Sequence, residues 1–315
     1  MNAGRMAYDI LSLGVPFSVA LLLAALGEMF NQRAGVFNLG CEGIMAMGAY
    51  LGFLPAYLAR SGPYGPWADV LGFALAAAAG ALLALVFAVV TVTFRAPQGI
   101  AGIGLQMLGV GVAGTLFRHF TGGVTGVEGV SAWPIPVLSR IPLLGGVLFN
   151  HNPVVYVAFL CVPASWYLLY RTPWGLRVRA VGTHPRAADT MGIDVNRVRY
   201  QALMLGGAMG GLGGAYLSLC QAKMFADDLV AGRGFIAVAL VYFGRWSPWG
   251  ITGGALLFSL AQAFQLAIQV GGIHFPYEFA VMLPYALVIL VLALARYRAL
   301  GPTALGKPFN REMRI

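Results

Sequence analysis

Apolar stretches long enough to cross a bilayer recur along the whole chain and leave no room for a soluble domain. They run at roughly Ile10–Phe30, Leu39–Leu58, Trp67–Phe94, Gly99–Phe120, Pro153–Tyr170, Tyr200–Gln221, Ile251–Val270 and Phe279–Ala295, and a spanning helix needs about 20 residues. Gly234–Phe243 is a half-span. Charged side chains make up only 10% of the residues, where soluble domains carry about 25%, and the mean hydropathy is +0.78. The expected fold is an all-α polytopic membrane protein. It would be a single transmembrane domain over residues 1–315, a bundle of roughly 8–10 helices of spanning length. The 43 glycines suit it, because small residues let membrane helices approach closely. The formal charge of +9 does not point to nucleic acid, since the arginines cluster in a few loops between spans, as topology signals do.

One interruption stands out. Between the first two spans lies Gly27-Glu28-Met29-Phe30-Asn31-Gln32-Arg33-Ala34-Gly35-Val36-Phe37-Asn38-Leu39-Gly40-Cys41-Glu42-Gly43. Ionisable side chains at membrane depth are costly and face a pathway or a partner. Glycines there suggest non-helical backbone, which membranes tolerate only where it is buried in protein or lines a cavity. A broken or re-entrant helix near residues 27–43 is therefore expected, and with it transport. A weak echo follows late in the chain: Leu39–Ala49 resembles Val230–Leu240, each with a charged residue just before a glycine at the start of an apolar segment. Transporters are often built from such repeats.

Two long connections differ in kind. Residues 121–152 are rich in Gly and Pro, with Trp133-Pro134-Ile135-Pro136. Residues 171–199 hold Arg171, Arg177, Arg179, Arg186, Arg197 and Arg199 against Asp189 and Asp194. The positive-inside rule makes 171–199 cytoplasmic and 121–152 extracytoplasmic, and the tail, with Arg296, Arg298, Lys307, Arg311 and Arg314, cytoplasmic as well. Five spans precede the basic loop, so the side of the N-terminus depends on how the polar interruption crosses. Arg5 followed by an apolar run without a small-x-small cleavage pattern reads as a retained first helix. In the basic loop, Thr183 or His184 can cap a helix, Pro185 suits its first turn and Gly192 can stop it, giving a helix of about two turns over Arg186–Met191.

Candidates for contact with a solute are polar residues inside apolar spans. Gln262, Gln265 and Gln269 fall within roughly 60° of one another on a helix; they suit a polar conduit or inter-helix hydrogen bonding. Asn38 and Glu42 either bond a neutral polar solute or cap a broken helix, and Gln106 is a further candidate. Arg118-His119 reads as a pair at a span end, Asp227, Asp228 and Arg233 as a polar loop, and Glu278 as interfacial. Cys41, Cys161 and Cys220 have no metal-ligand spacing and read as buried apolar groups; His151 and His274 give no metal signal. Two other classes compete. An ion-coupled transporter would use Glu28 or Glu42. A membrane acyltransferase would need the His184-x-x-x-x-Asp189 spacing, and here that histidine precedes a proline in a short loop.

The basic loop resembles the coupling segment of permeases of branched-chain amino acid, ribose and nucleoside ABC importers. The resemblance is carried by Thr172, Trp174, Gly175, Arg179, Ala180, Val181, Gly182, Pro185, Ala187, Ala188, Gly192 and Ile193. The polar interruption resembles the nucleoside branch, through Gly27, Glu28, Gln32, Arg33, Gly35, Asn38, Gly40, Glu42 and Gly43. Phe243–Gly250 and Leu283-Pro284-Tyr285 match the family in order. Gly206, Cys41 and Trp174 depart from its common residues. The resemblance implies a multi-pass permease of the bacterial inner membrane that forms the translocation path for a small polar solute. A nucleoside is the first expectation, with a simple sugar or branched-chain amino acid as alternatives. It also implies a cytoplasmic ATPase docking on Thr172, Trp174, Gly175, Arg179, Gly182, Pro185, Arg186, Ala187, Ala188 and Gly192. A second, homologous permease subunit, paired as a hetero-dimer, and an extracytoplasmic binding lipoprotein or periplasmic protein complete the set. No cofactor is expected in this chain, ATP and Mg being bound by the ATPase. The residues agree: neither Lys223 nor Lys307 lies in a G-K-[ST] phosphate loop, so the chain is not expected to hydrolyse ATP itself.

Overall fold

The computed structural model describes residues 3–59, 65–123, 126–136, 139, 144–270, 277–294 and 301–310. His274 and the tail residues Arg296, Arg298, Arg311 and Arg314 lie outside them. The described chain is a bundle of helices: α1 (Ala3–Arg33), α2 (Cys41–Ala59), α3 (Gly65–Ala88), α4 (Gln98–Phe120), α5 (Leu144–Leu148), α6 (Pro153–Arg171), α7 (Pro173–Thr183), α8 (Pro185–Thr190), α9 (Val195–Tyr216), α10 (Arg233–Phe243), α11 (Pro248–Val270) and α12 (Tyr277–Leu294). Among the described residues, α1, α3, α4, α6, α9 and α11 are long and apolar enough to span a membrane. α2 and α12 occupy the remaining expected spans with 19 and 18 residues. Single π-turns extend α3 over Val89–Thr93 and α9 over Leu217–Gln221.

Local sequence sets the helix ends. Asn152 caps α6 by accepting from Val155 N at 3.2 Å, with Pro153 in the first turn. Asp194 caps α9 by accepting from Arg197 N at 3.0 Å. Such caps satisfy amides that have no partner inside the helix.

α1 and α9 form the centre. They bury 67% and 72% of their spanning windows, against 28–33% for the other long helices, and α9 packs against α1, α2 and α3. The glycine-rich run of α9 makes this possible. A Cβ at Gly211 or Gly214 would run into the carbonyl of Ala76 or Met45, so the helices meet at backbone distance.

The bundle has two ends. At one, the C-terminus of α1 meets the last turn of α6, α7 and the tail: Arg33 donates to Tyr170 Oη at 3.1 Å, and Ala304 N donates to Gly182 O at 3.0 Å. This is the basic face. At the other, α1 packs against α5, and Tyr57 Oη, near the end of α2, donates to Thr121 O at 3.4 Å, just past the end of α4. Five helices, α1, α2, α3, α4 and α6, carry the chain from the far face to the basic face. The N-terminus therefore lies opposite the basic loop, and the polar interruption leaves the parity of the count unchanged.

Candidate functional site

The helix of α1 continues through the first seven residues of the polar interruption and ends at Arg33, and α2 begins at Cys41, so the non-helical backbone there is confined to residues 34–40. This connection starts on the basic face, where Gly35 lies against Gly182. It then climbs into the bundle, where Leu39 and Gly40 lie against Gly102 of α4 and Gly43 against Gln106. It is buried: Val36 is fully covered and Asn38 is 1% exposed.

Such a path leaves polar groups at depth, and side chains of the interruption, with Gln98 of α4, bond several of them. Glu28 accepts from Asn31 Nδ2 at 2.7 Å, Gln32 Nε2 at 3.2 Å and the amide of Asn38 at 3.1 Å. Asn38 Oδ1 accepts from Gly40 N at 2.8 Å, and Gln98 Oε1 accepts from Phe37 N at 2.8 Å. Each is a bond a buried amide cannot forgo cheaply.

Glu42, in the first turn of α2, reaches further. Its two oxygens accept from Gly232 N at 2.7 Å and Gly234 N at 2.6 Å, at the N-terminus of α10. α10 has 11 residues, about 16 Å, half the apolar thickness of about 30 Å. It begins beside Glu42 at the level of the middle of α4 and ends at Phe243, the turn after it carrying Trp246 to the basic face. The chain reaches its start from the far face, where Val127 N donates to Lys223 O at 2.8 Å. Residues 222–243 thus cross the bundle as an irregular stretch followed by a half-helix. The two echoing segments meet: Glu42 of Leu39–Ala49 grips the amides flanking Arg233 of Val230–Leu240.

The other end of α10 returns to the same interruption. Trp246 Nε1 donates to Gln32 Oε1 at 2.9 Å, and Arg33 Nη2 donates to Trp246 O at 2.8 Å. One half of the polar sequence therefore holds the head of α10 and the other half its foot. Arg33, Trp246 and Tyr170 were missed as site residues; the aromatic Trp246 inside the polar Phe243–Gly250 turn was the signal for it.

The remaining candidates spread over two banks. Gln106 is half-buried on α4, beside Gly43. Gln262 and Gln265 are half-buried on α11 and Gln269 is exposed there. α10 lies between, packed against both α2 and α11. Arg118 does not merely end a span: it pairs with Asp227 at 2.7 Å in the irregular stretch before α10. Arg233 is not a loop residue but the first residue of α10, its guanidinium donating to Leu229 O at 3.0 Å. Among the described residues no group of three or more His, Cys, Asp or Glu could hold a metal ion.

The basic loop contains one more helix than its sequence suggested. Thr172 caps α7, Oγ1 accepting from Gly175 N at 3.1 Å, with Pro173 following; that Thr-Pro pair is itself a helix-start signal. Trp174 donates to Gln201 Oε1 at 3.0 Å, and Arg179 lies 5.0 Å from the Tyr170 ring centre. Gly175 packs on the carbonyls of Leu168 and Leu169, and Gly182 on that of Arg33. The expected short helix is α8, with Pro185 in its first turn. Gly192, at φ +80°, closes it, its amide donating to Asp189 O at 2.9 Å. Arg186 and Ala187 face outward, while Ala188 is 4% exposed.

A profile of the branched-chain amino acid transport system / permease component family matches residues 10–292. The chain belongs to this family. The permease is 37% identical over 323 residues to a guanosine ABC transporter permease protein of Bacillus subtilis (strain 168), covering 97% of this chain and 99% of that one. It is 35% identical over 298 residues to a nucleoside ABC transporter permease protein of Lactococcus lactis subsp. cremoris, covering 92% and 93%. It is 37% identical over 337 residues to a Haloferax volcanii protein provisionally named a glucose ABC transporter permease, covering 98% and 99%. As a permease subunit it forms a translocation path for a small polar solute.

Proposed function

We propose that this permease imports a nucleoside across the bacterial inner membrane. It works beside a second permease, a cytoplasmic ATPase and an extracytoplasmic binding protein. The observation that carries the choice of solute is the filled N-terminus of α10. In a carrier of amino acids, a free half-helix N-terminus at membrane depth is a seat for the substrate carboxylate; here Glu42 occupies both amides. Glu28 is likewise consumed by three donors. Arg233 is held by the carbonyls of Leu229 and Val230, and the remaining candidates are neutral: Gln106 on one bank of α10 and Gln262, Gln265 and Gln269 on the other, amides suited to the hydroxyls and ring nitrogens of a nucleoside. Asn38 and Glu42 shape the path through backbone rather than touching the solute. The nucleoside-named relatives support the same reading, and the glucose-named one keeps a sugar as the second.

The mechanism is alternating access. Closure of the ATPase dimer displaces α8 and α7, Gly182 transmits this to the connection 34–40, and α10 moves with it. Proteoliposomes holding the permeases and ATPase, supplied with binding protein, are tested with radiolabelled guanosine, uridine, glucose and leucine. ATP-dependent uptake of the nucleosides alone is expected. Uptake of glucose or leucine without nucleoside refutes the assignment.

A further inference from the structure

The C-terminal segment 301–310 is built into the basic face rather than laid over it. Ala304 N donates to Gly182 O at 3.0 Å, Gly306 N to Gly35 O at 3.2 Å, and Lys307 O accepts from Arg199 Nη1 at 3.3 Å. Thr303 Oγ1 donates to Thr183 O. Gly301 lies under the Trp246 ring, where a Cβ would clash, and Ala304 is 6% exposed. Leu305 N and Lys307 N close turns onto Pro302 O and Ala304 O, both at 3.1 Å. A short stretch so densely bonded presents its outward side chains in fixed positions.

Those side chains form a wall. Between the first turn of α8 and Lys307–Asn310 lies an open groove of about 590 Å³, floored by Ala187 and Ala304. Phe309 stands on a ridge, lining this groove and a second one of about 460 Å³ that runs past Arg95 to Asp194. A third concavity, of about 440 Å³, opens on the other flank of α8 beside Met191, which is 81% exposed. α8 is therefore a ridge set between hollows, and the tail supplies the far wall of the largest. Around the three hollows stand Arg95, Arg177, Arg186, Arg197 and Lys307 against Asp189 and Asp194, an excess of positive charge that would attract an acidic counterpart.

We propose that the segment 301–310 and α8 together form one seat for the partner ATPase. The surface that fills the groove would be an apolar segment flanked by acidic side chains. This rests on the reading of the chain as an ATP-driven permease, and extends the ATPase contact from the basic loop to the tail. It gives the tail a second task, because the same residues that meet the ATPase are bonded to Gly35 and Gly182. Force applied at the groove reaches the α1–α2 connection through two backbone hydrogen bonds as well as through α7.

The test is affinity of the full-length permease complex for its ATPase in detergent, with permease-stimulated ATP hydrolysis as a second readout. Ala187→Arg probes α8, while Lys307→Glu and, separately, Pro308→Glu probe the tail. Both tail side chains are exposed, and elution as a folded complex is checked for each. Lys307→Glu is expected to weaken ATPase binding about tenfold or more, since like charge across an interface costs several kcal/mol. Wild-type affinity should fall with added salt. If Ala187→Arg loses the ATPase while both tail variants keep wild-type affinity, the tail is not part of the seat and the proposal fails. If all three variants keep it, the basic face is not the docking face at all. If the wild-type permease retains no ATPase, the ATP-driven reading itself falls.

Discussion

Replacing Glu42 isolates the grip on α10. Hydrogen bonds to charged groups contribute about 1.5–3 kcal/mol each, and Glu42 makes two, at 2.7 and 2.6 Å, while only 7% exposed. Its carboxylate also faces the positive end of a helix dipole, an effect of about 0.3–1 kcal/mol at exposed sites and larger when partly buried. Glu42→Gln keeps one acceptor and turns the other position into an N–H that opposes a backbone N–H. The expected loss is about 2 kcal/mol, a factor of about 30 in the folded-to-unfolded ratio. Glu42→Ala leaves both amides without partners and should cost about 3–6 kcal/mol. Denaturant unfolding of the purified permease in detergent, followed by tryptophan fluorescence, measures both. The graded order is the test: a Gln variant within about 0.5 kcal/mol of wild type, or an Ala variant no worse than Gln, would show that Glu42 does not hold α10.

Three further outcomes follow from neighbouring contacts. Gly182→Ala puts a methyl group into the Arg33 carbonyl; it should destabilise the protein by about 1–3 kcal/mol and lower uptake per ATP hydrolysed, read from parallel transport and phosphate-release assays. Ala188→Arg, at a position 4% exposed, should abolish the folded monomer peak on size exclusion, whereas a substitution at outward-facing Ala187 should not. Trp246→Phe removes the indole N–H that bonds Gln32 and half of a ring system that is 2% exposed, and should lower unfolding stability by about 2–4 kcal/mol, the lost bond plus the cavity.

Spans and the short helix α8 were legible because they follow from local rules: apolar length, a proline in the first turn, a glycine at the stop. α7 was readable from Thr172-Pro173 by the same rules, but its arginines made the stretch look like solvated loop. The role of Glu42 was not legible. Its sequence neighbourhood allows a solute contact or a local cap, and its partners, Gly232 and Gly234, lie 190 and 192 residues away. Asn38 differs, since its acceptor role on Gly40 is local and capping was among its readings. The tail was opaque for another reason: Gly301, Ala304 and Gly306 act through backbone and through the absence of side chains, which leaves no chemical mark in a sequence. The glutamines on α11 could be placed on one face from their spacing alone, but that α10 separates them from Gln106 is a fact of packing.

The double grip on α10 also sets an order of assembly. Glu42, Gln32 and Arg33 are made early, and their partners at Gly232 and Trp246 follow 190 to 214 residues later. At about 5–20 residues per second, α1 and α2 spend on the order of 10–40 s in the translocation machinery or the bilayer before these long-range bonds can form. A nascent permease released before α10 therefore leaves the Glu42 carboxylate without the two amides that satisfy it, while Arg33 at the basic face keeps Tyr170. Only chains elongated past Trp246 can close both ends of the grip on α10.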